Sequence, residues 1–238
     1  MIEAKNIYLS YDDNKYVIKK GSFSIKPKEF IFIGGNSGSG KSTLLKSFYG
    51  DIPLKHGSLK IENQEVFGIK GKKLRVLRKD IGIIFQDYKL INEYTIEENI
   101  MIPLKINGYS DEISKDQANK LLAHVRLSHR AGYHPNELSG GEQQRVAVAR
   151  ALAHNPKIII ADEPTTALDV TVQAQILDLL KSLQEKLNMS IIMISHDLGV
   201  IANICDEVAV MYAGQIVEKA NVDDLFYYAH HPYTRGLL

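Results

Sequence analysis

Hydrophobic positions along the chain come in two rhythms. Residues 30–33, 81–85, 158–161, 190–194 and 208–211 are short β-rich runs without strict alternation, the pattern of strands covered on both faces. Residues 44–49, 142–154, 170–187 and 222–228 instead carry apolar side chains at spacings of three and four, which predicts helices. Strand and helix in turn predict an α/β core around a mostly parallel sheet. Ahead of it, residues 2–9 and 16–25 collect β-formers on either side of Asp12, Asp13 and Asn14, an antiparallel, hairpin-like start. Between Asp87 and Leu138 the strand signal vanishes. Residues 96–104 and 116–127 predict two helices there, parted by a turn region at 107–111, so a helical insertion into the core is expected.

At 238 residues the chain has room for one large or two small domains and a sizeable core. Its 45% hydrophobic and 24% charged residues exclude a disordered or collagen-like chain. Lys plus Arg number 29 against 28 Asp plus Glu, so no global field draws the protein to a nucleic acid and any anion site must be local. The single cysteine, Cys205, excludes an internal disulfide, and no Cys or His cluster has metal-ligand spacing, which points to the cytoplasm. The longest stretch free of charged side chains, residues 30–40, is too short to span a bilayer, which takes roughly 20 apolar residues. Glu3 and Lys5 interrupt any signal-peptide pattern at the start.

Candidate chemistry begins where the 30–33 run stops. Gly35-Asn36-Ser37-Gly38-Ser39-Gly40-Lys41-Ser42 fits the P-loop pattern of Gly, four residues, then Gly-Lys-Ser/Thr, set between a strand and a helix. Glycines let successive backbone N–H groups turn inward as an anion nest, the helix N-terminus adds partial positive charge, and Lys41 adds a full one. The Ser42 hydroxyl is then expected to hold Mg²⁺ bridging the terminal phosphates, with Thr43 on the α-phosphate side. A linker that merely turned the chain would not need Lys-Ser at that offset. Downstream, the 158–161 run ends in Asp162 and Glu163 at the carboxyl end of a buried strand, where α/β sheets present ligands. Asp162 suits the Mg²⁺ shell and Glu163 suits the polarisation of an attacking water, although an acidic strand exit alone would look the same. Leu138-Ser139-Gly140-Gly141-Glu142-Gln143 precedes a helix, with Ser139 as its cap; this fits a second anion-binding helix end and equally an ordinary capped helix.

Together these motifs resemble the ATP-binding-cassette (ABC) ATPase family, whose signature sequence reads as residues 138–143 do here, and the likeness covers nearly the whole chain. It implies one domain, 1–238: a P-loop NTPase (RecA-like) α/β core from 1–86 and 139–238, with an N-terminal antiparallel β part and 87–138 as an inserted α-helical subdomain. It further implies ATP and Mg²⁺ as ligands. By position, Gln86 matches the glutamine that senses Mg²⁺ and the attacking water, His196 the switch histidine at the γ-phosphate, Tyr11 the adenine-stacking aromatic, and Asp169 the aspartate that works across the subunit boundary. Family members sandwich two ATP molecules between head-to-tail subunits, each P-loop facing Ser139, Gly140 and Gly141 of the other. The implied partners are a second copy or a similar subunit, and membrane-spanning permease subunits, with no nucleic acid. The implied place is the cytoplasmic face of the cell membrane, held peripherally.

Two parts of the chain resemble different subfamilies. Residues 1 to about 160 are similar to the lipoprotein-release and cell-division type. Residues 165–238, including His230-His231-Pro232-Tyr233-Thr234-Arg235, are similar to the oligopeptide and dipeptide importers. That split suggests a recombined or engineered chimera with its seam between about Ala161 and Asp169, an alternative in which the domain has no physiological partner. Other readings left open by the resemblance are an ATPase that regulates a membrane complex in division, and a soluble ABC ATPase acting on DNA or ribosomes. The basic run Lys70, Lys72, Lys73, Arg75, Arg78 and Lys79 fits a solvated helix face, or attraction to anionic lipid.

Overall fold

The N-terminal β-formers pair with each other, but inside a larger sheet. A computed structural model describes residues 1–12, 15–166, 168–195 and 204–238; the expectations that fall on Asp13, Asn14, Ala167 and His196 lie outside these. Strand β1 (Ile2–Leu9) runs antiparallel to β2 (Ile18–Ile25) on one side and β4 (Leu54–Ile61) on the other, and β5 (Gln64–Glu65) completes the sheet. The polar Lys-His-Gly-Ser centre of β4 hid it from a search for apolar runs. Its Gly57 is needed for close approach, because a Cβ there would lie 2.3 Å from the Asn6 carbonyl oxygen.

The second sheet holds β3 (Phe30–Gly34), β6 (Ile81–Ile84), β7 (Ile158–Asp162), β8 (Ser190–Ile194), β9 (Glu207–Tyr212) and β10 (Gln215–Asn221), in the order β10-β9-β3-β8-β7-β6. All its pairings are parallel except the β9–β10 hairpin. Strand β10 lacks an apolar run because it is a half-buried edge, entered through Ala213 and Gly214, both at positive φ. Alternate side chains of the central strands serve two cores. Ile31, Ile33, Ile158, Ile160, Ile192 and Ile194 face the antiparallel sheet and helix α1 (Lys41–Phe48). Phe30, Phe32, Ile159, Ala161, Ile191 and Met193 face the remaining large helices. Burial on both sides is why these strands are apolar at successive positions, with polar residues only at their ends, Asp162 in β7 and Ser190 in β8.

Between residues 87 and 138 the described elements are all helices, joined by turns, in line with the lost strand signal. Thr95 caps α3 (Ile96–Ile106) in a reciprocal box with Glu98, and Ser110 caps α4 (Asp111–His124) through the Ile113 N–H. Helix α4 therefore starts at Asp111 rather than 116: the Ser110 cap and the carboxylates of Asp111 and Glu112 in the first turn favour the earlier start. Both helices pack through Ile100, Leu104, Leu121 and Leu122 against α5 (Gly140–Ala151) and the same core that α6 (Val170–Leu187) covers. The basic run forms α2 (Gly71–Lys79), with only Leu77 buried. Two short helices, α7 (Val222–Tyr228) and α8 (Pro232–Leu237), close the chain. Between residues 81 and 194 the sheet is continuous, since β7 pairs in register with β6 and with β8.

Candidate active site

Strand β3 delivers the chain into a loop that only glycine could build. Gly35, Gly38 and Gly40 have φ of 141°, 78° and 104°. Gly35 also passes so close to β9 that a Cβ would lie 2.2 Å from the Met211 carbonyl oxygen. Gly40 is the N-cap of α1 and offers no side chain to the first-turn N–H groups, which leaves them available to an external acceptor. The Ser39 hydroxyl is buried without a hydrogen-bond partner. The Lys41 side chain folds back into the loop, its Nζ donating to the Gly35 carbonyl at 2.6 Å and the Asn36 carbonyl at 3.0 Å. Burial pushes its pKa below the usual lysine value, against the pull of the Glu163 and Asp162 carboxylates. These features fit a polyanion: an orphaned hydroxyl, free amides and a desolvated ammonium share one cradle.

Asp162 ends β7 beside that cradle. The Ser42 hydroxyl donates to its Oδ1 at 3.4 Å. Burial raises the Asp162 pKa above the usual carboxylate range, opposed by the Ser42 hydrogen bond and by Lys46 and Lys41, and reinforced by Glu163. No group of three His, Cys, Asp or Glu side chains assembles among the described residues. A pair of oxygens from Ser42 and Asp162 nonetheless fits Mg²⁺, which keeps waters and takes substrate phosphates as further ligands. Glu163 follows at a φ of 47°, a left-handed conformation that costs energy for a carboxylate side chain and is found at working sites. Its N–H donates to the Ile194 carbonyl at 3.0 Å, and its Oε2 accepts the Thr166 hydroxyl at 2.9 Å.

The outer site residues are brought in by neighbouring elements. The Thr43 hydroxyl donates to the Tyr11 phenol oxygen at 3.3 Å, and the Lys46 ammonium lies 5.9 Å from the Tyr11 ring centre, so this ring, 63% exposed, stands over α1. Ile84 of β6 pairs with Ala161 of β7, so Gln86 and Glu163, each two residues on, leave the same end of the sheet. Ser37 is exposed at the loop tip. Ser139 is not gathered here: it caps α5 in a reciprocal box, its Oγ accepting the Glu142 N–H at 3.4 Å and donating to Glu142 Oε2 at 2.8 Å. Gly140 packs by Tyr88 and Leu168, and a Cβ on Gly141 would meet Val172 at 2.6 Å. Asp169 caps α6 by accepting the Val172 N–H at 2.9 Å, which ties it to the signature glycines. Among the described residues no hydrogen bond links Ser139 or Asp169 to the P-loop of the same chain.

The ABC transporter family model matches residues 18–166, more than half of the chain. The chain belongs to the ABC transporter family. It is 44% identical to the oligopeptide transport ATP-binding protein OppD of Bacillus subtilis, over 100% of this chain and 71% of that protein. It is 41% identical to the methionine import ATP-binding protein MetN of Carboxydothermus hydrogenoformans, over 99% of this chain and 70% of that one. Among solved structures it resembles the ATP-binding cassette MJ0796, a dimer in a post-hydrolysis state with ADP and Pi, at a TM-score of 0.84 and 34% identity, over 93% of this chain and 99% of that one. The α/β architecture with parallel strands is thus that of ABC cassettes, and the chain is an ATP-binding, ATP-hydrolysing ABC transporter subunit. Among the described residues no helix is long and apolar enough to cross a membrane.

One positioning residue of this ABC cassette escaped the sequence reading. Arg150, near the end of α5, donates from its guanidinium to the carbonyls of Tyr88 and Lys89 at 2.5 Å each. Both acceptors sit at positive φ directly after Gln86. Burial lowers the Arg150 pKa. The fully buried Asn99 fixes the next stretch, taking the Ile91 N–H and donating to the Ile91, Tyr94 and Thr95 carbonyls. A charge hidden by tertiary folding has no periodic signal, so nothing in the local sequence marked it.

Proposed function

We propose that the cassette works as a head-to-tail dimer in which each ATP is held by the P-loop of one chain and the Ser139–Gly141 helix end of the other. The observation that carries this reading is the separation just described. Lys41, Ser42, Asp162 and Glu163 converge at one end of the parallel sheet, whereas Ser139, Gly140 and Gly141 present a second anion-seeking helix end elsewhere. In this reading Gly35, Asn36, Ser37, Gly38, Ser39 and Gly40 wrap the phosphates, and Lys41 keeps the Gly35 carbonyl while turning its other donors, one of them from the Asn36 carbonyl, to phosphate oxygens. Ser42, Asp162 and Gln86 would hold Mg²⁺, which would supply positive charge against the terminal phosphates. Thr43 contacts the α-phosphate side and Tyr11 stacks on adenine. Glu163 accepts a proton from the attacking water; His196 holds the γ-phosphate, and Asp169 acts across the dimer boundary. Cleavage removes the charge-assisted contacts that bind the γ-phosphate to both chains, so the dimer loosens and permease subunits on the cytoplasmic face take up the movement. Cargo choice belongs to those membrane partners, because relatives named for oligopeptide and for methionine match this chain almost equally well.

The test is phosphate release from MgATP by the wild type, Lys41→Ala and Glu163→Gln. Glu163→Gln should bind MgATP normally and lose about 10²- to 10⁴-fold in turnover, the range for removal of a general base. Turnover at the wild-type rate in that variant would remove Glu163 from the mechanism.

A further inference from the structure

One peptide of the P-loop is gripped from both sides. The Gly35 carbonyl accepts Lys41 Nζ at 2.6 Å, and the N–H of the same peptide unit, on Asn36, donates to the Tyr233 phenol oxygen at 2.9 Å. We propose that Tyr233 is a positioning residue of the P-loop, whose phenol oxygen holds the Gly35–Asn36 peptide in the orientation that receives Lys41. The inference rests on reading residues 35–43 as the ATP site.

The hydroxyl is delivered by a braced turn rather than a loose tail. The Tyr233 ring packs 4.5 Å, centre to centre, against Tyr212 at the end of β9. Its sequence neighbour Met211 supplies the carbonyl that presses on Gly35, so the ring and the loop rest on one support. Glu218 on β10 accepts the His230 N–H at 2.7 Å and the His231 N–H at 3.1 Å. His231 Nδ1 accepts the Tyr233 N–H at 3.1 Å, Arg235 Nε donates to the Ala229 carbonyl at 2.7 Å, and Thr234 is fully buried. Accepting from the Asn36 N–H polarises that peptide and strengthens its carbonyl as an acceptor for Lys41. Tyr233 thus reaches the phosphates only through the loop. The contact is open to solvent, so water replaces part of it when the phenol oxygen is removed.

Tyr233→Phe keeps the ring and its packing and deletes the oxygen. The expected result is a rise of about threefold to tenfold in the dissociation constants of MgATP and MgADP and in the KM for ATP, the net worth of one hydrogen bond. The kcat should stay at the wild-type value, and the unfolding midpoint without nucleotide should fall by no more than about 4 °C, the share of one exposed hydrogen bond. Glu218→Gln, which loosens the turn, should raise KM in the wild-type background and add nothing in Tyr233→Phe, since both act through one contact. Tyr228→Phe, at an exposed tyrosine of the same tail, should change nothing. Wild-type nucleotide affinity in Tyr233→Phe would overturn the proposal, and so would a lowered unfolding midpoint with unchanged affinity. If Lys41→Ala binds MgATP as tightly as the wild type, the site reading itself fails and the proposal with it.

Discussion

Replacing Gly35 with alanine separates two demands that the P-loop makes on its first residue. At φ 141° an alanine is strained, which costs about 1–3 kcal/mol for a residue held in such a region. Its Cβ would also lie 2.2 Å from the Met211 carbonyl oxygen. That carbonyl cannot retreat freely: β9 is paired with β3 at Val210–Gly34 and with β10 at Met211–Ile216. Moving it far enough weakens one or two ladder hydrogen bonds, at about 1 kcal/mol each. Gly35→Ala should therefore lose about 2–5 kcal/mol of stability, and for a domain of this length the unfolding midpoint should fall by roughly 5–15 °C. Gly38→Ala is the control, because its φ is also positive, at 78°, yet nothing lies within 4 Å of its added Cβ. It pays the backbone cost alone, about 1–2 kcal/mol. Urea unfolding of both variants, with MgATP binding measured alongside, reads the difference. Equal midpoints for Gly35→Ala and Gly38→Ala would refute the claim that β9 sets the shape of the loop.

Three further outcomes follow from the site. Burial places the folded-state pKa of Asp162 above its unfolded value near 3.9, so the native state holds that proton to higher pH and stability from this group falls as pH rises through the folded value. Asp162→Asn should therefore gain in unfolding midpoint relative to wild type, without nucleotide, as pH is raised from about 4; a pH-independent difference contradicts this. Tyr11→Leu should weaken MgATP binding by about tenfold or more through lost base stacking, while leaving stability within about 0.5 kcal/mol at so exposed a position; titration with a fluorescent nucleotide checks it. Ser139→Ala removes the α5 cap and should cost about 1 kcal/mol in urea unfolding of the monomer.

Much of the fold was legible because buried parallel strands advertise themselves as apolar runs. All five of the predicted runs lie on strands of the second sheet, and the Lys41–Ser42 offset located the loop that β3 feeds. Strands β4 and β10 were not legible: one is broken by Gly57 and polar residues, and the other is a half-buried edge. Residues singled out by local motifs are brought together by the fold: Ser42 bonds to Asp162, and Lys41 lies in the same loop under the pull of the Asp162 carboxylate. Contacts made between distant segments left no local sign of their partners. Arg150 on the Tyr88 and Lys89 carbonyls and Tyr233 on the Asn36 N–H are of this kind. The reciprocal box of Ser139 and Glu142 adds something the motif did not reveal: a carboxylate already occupies the signature helix end, and in the proposed dimer an incoming γ-phosphate would have to compete with it.

The central claim is that ATP joins two chains, and mass measures it most directly. Glu163→Gln, which on the proposed mechanism should leave ATP uncleaved, should be sized by light scattering with and without MgATP, beside the double variant Glu163→Gln/Ser139→Phe. From the chain mass of 26.7 kDa, the account predicts a shift to twice that value with MgATP for the single variant. The double variant should stay at the chain mass while still binding nucleotide. A single variant that remains at 26.7 kDa in saturating MgATP, or a double variant that dimerises as well as the single one, would contradict it.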